Sequence, residues 1–432
     1  IDGISPKSES NNPLEINSKD SISISNPNDS YDYSDSDTIN GIPTNNDIKD
    51  ISESIVVYTD SVKTKFPITD SLESIDTILT NPTPEITYPE GGLQAWLVVF
   101  GGMMLFFCSF GWCNTFGIFQ TYYVTSGFLT ESRSAVSWIG SLQMWGAFFG
   151  AGIAGSLFDK FGARPIVLPG SLVLVFGIMM QSLCTQYYQL ILAQGLLQGL
   201  AIGSLFTPSA AACNHWFLKK RGMATGIVVG GSSLGGVFWP ILLNHLLNQT
   251  NIGFAWSLRI CAFISLVIMV PSSLLVKGRL PKKVNFQPWA LKAFTNRISL
   301  VYLISCFFIF WGCFIPYTYL GLRSKEHGMT TQLAFYITAV LNAGSFVGRI
   351  IPGILGDIYG RYNTYIICAT FMGILALLWL TSQKVWQDML FAAAFGAASG
   401  SCVSLSGPCI AHLAPHPSEI GTYMGTMFLI IS

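Results

Sequence analysis

The sequence predicts an all-α polytopic membrane protein made of two six-helix halves, and three observations carry that expectation. Half of the 432 residues are hydrophobic and only 11% are charged, whereas a soluble domain carries about 25% charged residues. From Pro89 onward the chain runs through ten apolar stretches of spanning length and begins an eleventh; about 20 residues at 1.5 Å each cross ~30 Å of hydrocarbon. The decapeptide GSLFDKFGAR at 155–164 returns as GILGDIYGRY, beginning at Gly353, 198 positions after Gly155.

Residues 1–88 precede the first span and have a different composition. The first ninety residues hold seventeen acids against five lysines, and the remainder eighteen basic residues against six acids. An acidic tail therefore joins a basic membrane body. A stretch such as SNPNDSYDYSDSDTIN buries too little apolar surface to offset its ordering entropy, so the tail is expected to be disordered. The chain opens on Ile1 rather than Met and shows no apolar h-region, which predicts a few missing residues and no cleaved signal peptide.

Six spans are expected in the first half, 89–276, near 95–119, 135–157, 165–184, 187–211, 223–246 and 255–276. A linker follows at 277–297. The second half, 298–432, supplies spans near 298–320, 332–355, 364–381 and 386–409, and an eleventh from Ile420. Two equal halves require twelve spans and about ten and a half are present, so the C-terminus is expected to be truncated at Ser432. Lysine and arginine set the orientation. With the tail in the cytosol, the inner loops hold twelve basic residues and the outer loops only Arg133, Arg323, Lys325 and Lys384. Within the linker, NFQPWALKAF has two readings that the residues leave open. It is a stop signal with a tether, or an interfacial segment with Phe286, Trp289 and Phe294 against lipid.

The ten cysteines lie between Cys108 and Cys409 without CxxC spacing, so no disulfide framework or metal site is expected. No cofactor is expected either. Glycines four apart recur at 146/150, 195/199/203, 226/230, 231/235, 344/348 and 396/400, a spacing that lets helices approach closely.

The repeat has its own physical reading. Gly155 and Gly353 allow close helix approach. Asp159 and Asp357 end their spans and accept from a base or from a neighbouring helix N-terminus. Gly162 and Gly360 permit the turn, and Arg164 and Arg361 anchor the loop. Two such turns form a conformational latch, which the basic run Lys219, Lys220 and Arg221 joins.

These decapeptides resemble the loop motif of the major facilitator superfamily. PEGGLQAW at 89–96 and WFLKKRGMATGIVVGGSSLGG at 216–236 are similar to the two signatures of its monocarboxylate porter family. The wording is nearest the fungal branch, with its carboxylate-permease and riboflavin-carrier homologues. The resemblance runs from Pro89 to the end. It implies a major facilitator fold and a secondary transporter of a small organic solute, a monocarboxylate-like anion or a riboflavin-like molecule, working by alternating access.

Two arginines lie within spans, Arg259 and Arg349. Arg259 sits one turn from a span end and can snorkel. Arg349 is deeper, beside Gly348 and Pro352, and matches the position of the arginine with which the porter family holds substrate. Asn114, Gln143, Asn342, Tyr317 and Trp311 are the candidates to complete a substrate pocket. The family pattern breaks at Ser345, where proton-coupled members carry an acid, and in the first span, which lacks their lysine. A facilitator, or a carrier of a larger and less acidic solute, is the expectation.

The expected partners are a small-molecule substrate and the lipid bilayer, with no nucleic acid and a functional monomer. The plasma membrane is the expected location, with the vacuolar membrane as alternative. A solute sensor built on the same fold is the second functional reading. A membrane enzyme is disfavoured, because the sequence has no His/Asp cluster or GxSxG elbow at the bilayer surface, and the lack of a Walker loop sets ATP aside as the energy source.

Overall fold

The computed structural model describes residues 87–248, 250, 252–283 and 287–432. The acidic-tail reading and Phe286 thus lie outside the described residues. Among those residues every regular element is helical. The helix named α1 here is broken into Leu93–Cys108, Phe110–Cys113 and Phe116–Thr125. The others are α2 (Arg133–Phe161), α3 (Arg164–Gln181), α4 (187–214), α5 (Arg221–Asn248), α6 (Gly253–Leu275), α7 (Arg297–Glu326), α8 (Thr331–Tyr359), α9 (Arg361–Trp379), α10 (Val385–Leu413) and α11 (Ile420–Ile431).

Nine of these helices are long and apolar enough to cross a membrane, counting α1 as one. The expectation was ten complete spans. The tenth, α2, has the length at 29 residues, but its glycines, serines and Gln143 hold its mean hydropathy below that of the other nine. The 12-residue α11 is short of a span.

The glycine spacings become helix contacts. A Cβ on Gly203 would fall 2.3 Å from the Ala147 carbonyl oxygen, joining α4 to α2, and one on Gly348 would fall 1.9 Å from that of Ala397, joining α8 to α10. Gly235 does the same between α5 and α1, at 2.2 Å from the Phe107 oxygen. Backbones this close leave room for hydrogen alone, which is how small residues bring spanning helices together.

Two irregularities were not foreseen. α1 breaks at Ser109 and Thr115, whose hydroxyls turn back onto the carbonyls of Leu105 (2.7 Å) and Trp112 (2.5 Å), competing with the helical ladder. In α4, residues Ile191–Gln198 form a π-helix. The extra residue in that turn aims Gln194 and Gln198 into a buried amide network. Trp112 Nε1 donates to Gln198 (3.0 Å), Gln198 Nε2 to Gln181 (2.8 Å), Gln181 Nε2 to the Tyr123 hydroxyl (2.9 Å), and that hydroxyl to Gln194 (2.8 Å).

The linker is neither a loose tether nor wholly interfacial. It clasps both halves: Ser156 of α2 donates to the Pro288 carbonyl (2.6 Å), and the Ala290 amide donates to the Thr426 hydroxyl of α11 (2.9 Å). Lys283 pairs with Glu419 at 2.8 Å. A one-turn helix, Leu291–Thr295, buries Ala293 and leaves Leu291 and Phe294 exposed.

Candidate functional site

The two halves meet at one end of the bundle through the repeated motif. At the last turn of α2, Asp159 accepts from the backbone N–H groups of Gly421 (3.0 Å) and Thr422 (2.6 Å) and from the Thr422 hydroxyl (2.6 Å). At the last turn of α8, Asp357 accepts from the N–H groups of Gly222 and Met223, both at 2.8 Å. Each carboxylate thus caps the N-terminus of a helix in the opposite half, where four N–H groups lack an intrahelical partner and the helix dipole favours negative charge. Glycine makes the approach possible. A Cβ on Gly155 would sit 2.1 Å from the Gly421 oxygen, and one on Gly353 would sit 2.6 Å from the Gly222 oxygen. Gly162 and Gly360 turn the chain at φ +89° and +98°, a region open to glycine at little cost.

The basic members of the predicted latch divide. Arg361 bridges the halves, from Asp357 (3.1 Å) to the carbonyls of Leu218 (2.5 Å) and Lys219 (3.5 Å). Arg164 is corrected: it donates to the Leu274 carbonyl at 2.7 Å and ties α3 to α6 inside one half. The symmetric place is taken from the linker, where the Lys283 amide donates to the Asp159 carbonyl at 2.8 Å. Arg221 is buried and donates to the carbonyls of Asn214 and Phe217, both at 3.2 Å, closing the end of α4 in its own half. Lys219 and Lys220 enter through their main chains.

Those main chains are held by a residue the sequence reading left without a role. Glu90 accepts from the N–H groups of Leu218 (2.7 Å), Lys219 (2.7 Å) and Lys220 (3.2 Å). The ring of Trp96 lies 5.4 Å from that of Phe217. The two signature segments therefore interlock. Partial burial pushes the Glu90 carboxyl up, but the three N–H groups and the Lys219 charge outweigh it and hold it below the usual carboxylate range.

Deeper in the bundle, four of the six predicted pocket residues come together or adjoin. Arg349, 7% exposed, reaches across the halves to α5, donating to the Val229 carbonyl at 2.7 Å and to the Ser232 hydroxyl. Its Nε has no hydrogen-bond partner among the described residues. Asn114 Nδ2 donates to the Ser232 carbonyl at 3.4 Å. A Cβ on Gly236 would lie 2.7 Å from Asn342 Oδ1 and 2.8 Å from Asn114 Nδ2, so α1, α5 and α8 converge there. The Tyr317 hydroxyl stands 3.4 Å from that of Ser399, and Ser345 is buried beside them.

Two predicted pocket residues lie elsewhere. Gln143 joins the amide network of the first half, donating to Gln198 at 3.4 Å. Trp311 is 64% exposed and stacks on Phe308 outside the bundle. The spacing of 198 that aligns Asp159 with Asp357 aligns Trp112 with Phe310. Trp311 is one residue further on, about 100° around the helix.

Phe310 belongs to a feature the sequence reading missed. Phe110 of α1, Phe148 of α2, Phe206 of α4, Phe310 and Phe314 of α7, and Phe428 of α11 form one aromatic cluster across both halves. Phe110 and Phe206 are 4.7 Å apart, Phe206 and Phe428 4.7 Å, and Phe148 and Phe314 6.0 Å. Phe314 continues to Tyr317 at 6.3 Å, so the cluster runs into the Arg349 group. The signal was present in pairs of phenylalanines four apart in the first span of each half, Phe106/Phe110 and Phe310/Phe314.

Comparison with known proteins agrees with this architecture. The sequence model of the Major Facilitator Superfamily matches residues 98–432. The chain is 40% identical over 345 residues to the aspyridones efflux protein apdF of Emericella nidulans, covering 80% of this chain and 70% of that one. It is 42% identical over 337 residues to the MFS-type transporter pynF of Aspergillus niger, covering 77% of each. The crystal structure of the human organic anion transporter MFSD10 (TETRAN) matches 78% of this chain and 89% of that one, with a TM-score of 0.61 at 14% identity, a likeness of fold alone.

Proposed function

The chain belongs to the Major Facilitator Superfamily of small-molecule transporters, and from that premise we propose that it exports an amphipathic, ring-bearing metabolite. The observation that carries this reading is the phenylalanine cluster ending on Arg349 and Tyr317. Aromatic faces hold flat apolar bodies, and a guanidinium fork holds a carboxylate or carbonyl. A compact monocarboxylate would leave six rings without a role. The relative named for aspyridones efflux supports the same direction, and a compact lactate-like solute gives way to it.

With the positive-inside orientation, the aspartate latches face the cytosol, so the conformer described is closed on that side. Opening requires Asp159 and Asp357 to leave their helix N-termini and Arg349 to leave Val229 and Ser232. A solute carbonyl replacing the Val229 carbonyl on Arg349 would lower the cost of that separation, coupling occupancy to movement. Among the described residues, the acids of the spans lie at helix ends.

The test uses purified chain in proteoliposomes with labelled lactate, pyruvate and riboflavin beside 2-naphthoate and 2-naphthamide. The two-ring solutes are expected to move fastest, with Arg349→Ala slowing them at least tenfold, the equivalent of about 1.4 kcal/mol. Faster movement of lactate or pyruvate, or an Arg349→Ala variant as fast as the parent, overturns the reading.

A further inference from the structure

The linker presents a basic face that the rest of the described chain leaves unneutralised. Of its six cations, Lys277, Arg279, Lys282, Lys283, Lys292 and Arg297, only Lys283 pairs with an acid among the described residues, Glu419 at 2.8 Å. Arg279 is engaged by Thr87 and by the ring of Trp216. Lys282, Lys292 and Arg297 are exposed. The carboxylates of Asp159, Asp357 and Glu90 at this end are held by backbone amides. The three exposed cations therefore have no acid of the described chain to meet.

Apolar side chains stand beside them. The one-turn helix Leu291–Thr295 buries Ala293. Its outer side therefore carries Leu291, 70% exposed, with Lys292 and Phe294 at the flanks, and Trp289 is exposed just before it. α7 then begins at Arg297 and exposes Ile298 and Val301, so the short helix lies close to where the chain enters hydrocarbon. Apolar side chains interleaved with cations suit the headgroup boundary: rings and aliphatic stems enter the acyl edge while the charges stay among the phosphates. The orientation used above places this end at the cytosolic leaflet, whose lipids carry net negative charge.

The main chain of the same segment closes the first latch. The Lys283 amide donates to the Asp159 carbonyl. On either side of Trp289, the Pro288 carbonyl accepts from Ser156 of α2 and the Ala290 amide donates to Thr426 of α11, so one segment ties the two halves. We propose that this face binds the anionic phospholipids of the leaflet on the latch side, with Lys282, Lys292 and Arg297 on the headgroups and Trp289, Leu291 and Phe294 at the acyl edge. Lipid charge thereby steadies the clasp between α2 and α11. The closed conformer becomes sensitive to the charge of the membrane, whatever solute is carried.

The test uses the full chain with Leu291→Cys carrying a neutral fluorophore; the native cysteines are buried or half-buried, so the exposed site takes the label. The protein sits in phosphatidylcholine vesicles holding a trace of phosphatidylserine, or of phosphatidylcholine, with a nitroxide on the acyl chain near the headgroup. Phosphatidylserine is expected to quench at least about fivefold more strongly, the worth of one cation near an anionic surface. Lys282→Gln, Lys292→Gln and Arg297→Gln together, all at exposed sites, are expected to erase that preference, as is high salt. In the unlabelled parent, hydrogen exchange of the Ala290 amide, which reads its bond to Thr426, is expected to slow severalfold when phosphatidylserine is mixed into the vesicles. Equal quenching by the two lipids, or a preference that survives the triple variant, overturns the binding face. Exchange at Ala290 indifferent to lipid charge overturns the link to the latch. The same slowing by soluble glycerophosphoserine in phosphatidylcholine vesicles assigns the cations to a free anion and overturns the lipid assignment.

Discussion

Asp159 and Asp357 do the same work from opposite halves, and their surroundings predict unequal effects when each is changed. Asp159 is met by two N–H groups and a hydroxyl, whereas Asp357 also keeps Arg361 beside it. A hydrogen bond to a charged group contributes about 1.5–3 kcal/mol, so Asp159→Asn, which keeps the shape and removes the charge, weakens the closed conformer by about 2 kcal/mol or more. In a background without the native cysteines, a reporter Ser156→Cys should then react with an impermeant maleimide from the aspartate end at least tenfold faster. Asp357→Asn should open α5–α8 less, because it also frees Arg361 to strengthen its bonds to the Leu218 and Lys219 carbonyls. Reporter rates unchanged by Asp159→Asn would show that the caps do not hold the halves together. At this scale the sequence was legible wherever a residue type has one use at a helix end. The paired aspartates and the two positive-φ glycines were foreseen because the repeat placed them twice. Gln143 and Trp311 were misplaced because polarity and aromaticity do not tell which face of a helix looks inward, and that is set by packing.

Among the elements, α1 and α4 depart most from regular helix, and no residue pattern announces either departure. Ser109 and Thr115 look like ordinary small polar residues, and only the close approach of Gly111 to Gly235, where a Cβ would fall 2.6 Å away, shows why α1 must yield there. The π-helix of α4 serves an amide network that the second half lacks. At the positions 198 further on, Trp112 and Tyr123 are matched by Phe310 and Gly321, and the glycine that packs like Gly199 is Gly396, 197 further on, so α4 carries one extra residue. The segment before α1 supports a prediction of its own. Glu90 holds three amides of the loop that presents α5 to Asp357. Its carboxyl titrates below the usual range, so its contribution is complete above the ordinary carboxylate pKa of about 4.3. That contribution is lost as pH falls through the lower, folded value. Hydrogen exchange at Leu218 and Lys219 should be slower in the parent than in Glu90→Gln near neutral pH, and the difference should vanish in acid below that folded value. A difference that persisted in acid would assign the protection to the packing of Trp96 on Phe217 instead.

For the molecule as a whole, the two latches are related by the repeat and act on one rigid-body movement, so restraining one should restrain both. Gly155 against Gly421 and Gly353 against Gly222 bring backbones to hydrogen-only contact, and helices packed through glycine slide apart as units rather than bend. A short bifunctional maleimide joining Lys219→Cys to Arg361→Cys, whose parent residues meet across the halves, is therefore expected to abolish solute movement although it touches only the loop before α5 and the start of α9. A reductant-cleavable version should restore movement. The opposite perturbation follows from the same geometry. Gly155→Leu forces α2 from α11, since even its Cβ would lie 2.1 Å from the Gly421 oxygen, and should leave the Lys219→Cys and Arg361→Cys pair too far apart to join. Both variants lower turnover, but they trap opposite conformers, so the sulfhydryl reactivity of Ser156→Cys should fall in the joined protein and rise in Gly155→Leu. Efficient joining of the α5–α9 pair in Gly155→Leu would mean that the halves move independently at their two contacts, and a single rocking cavity would not describe the cycle.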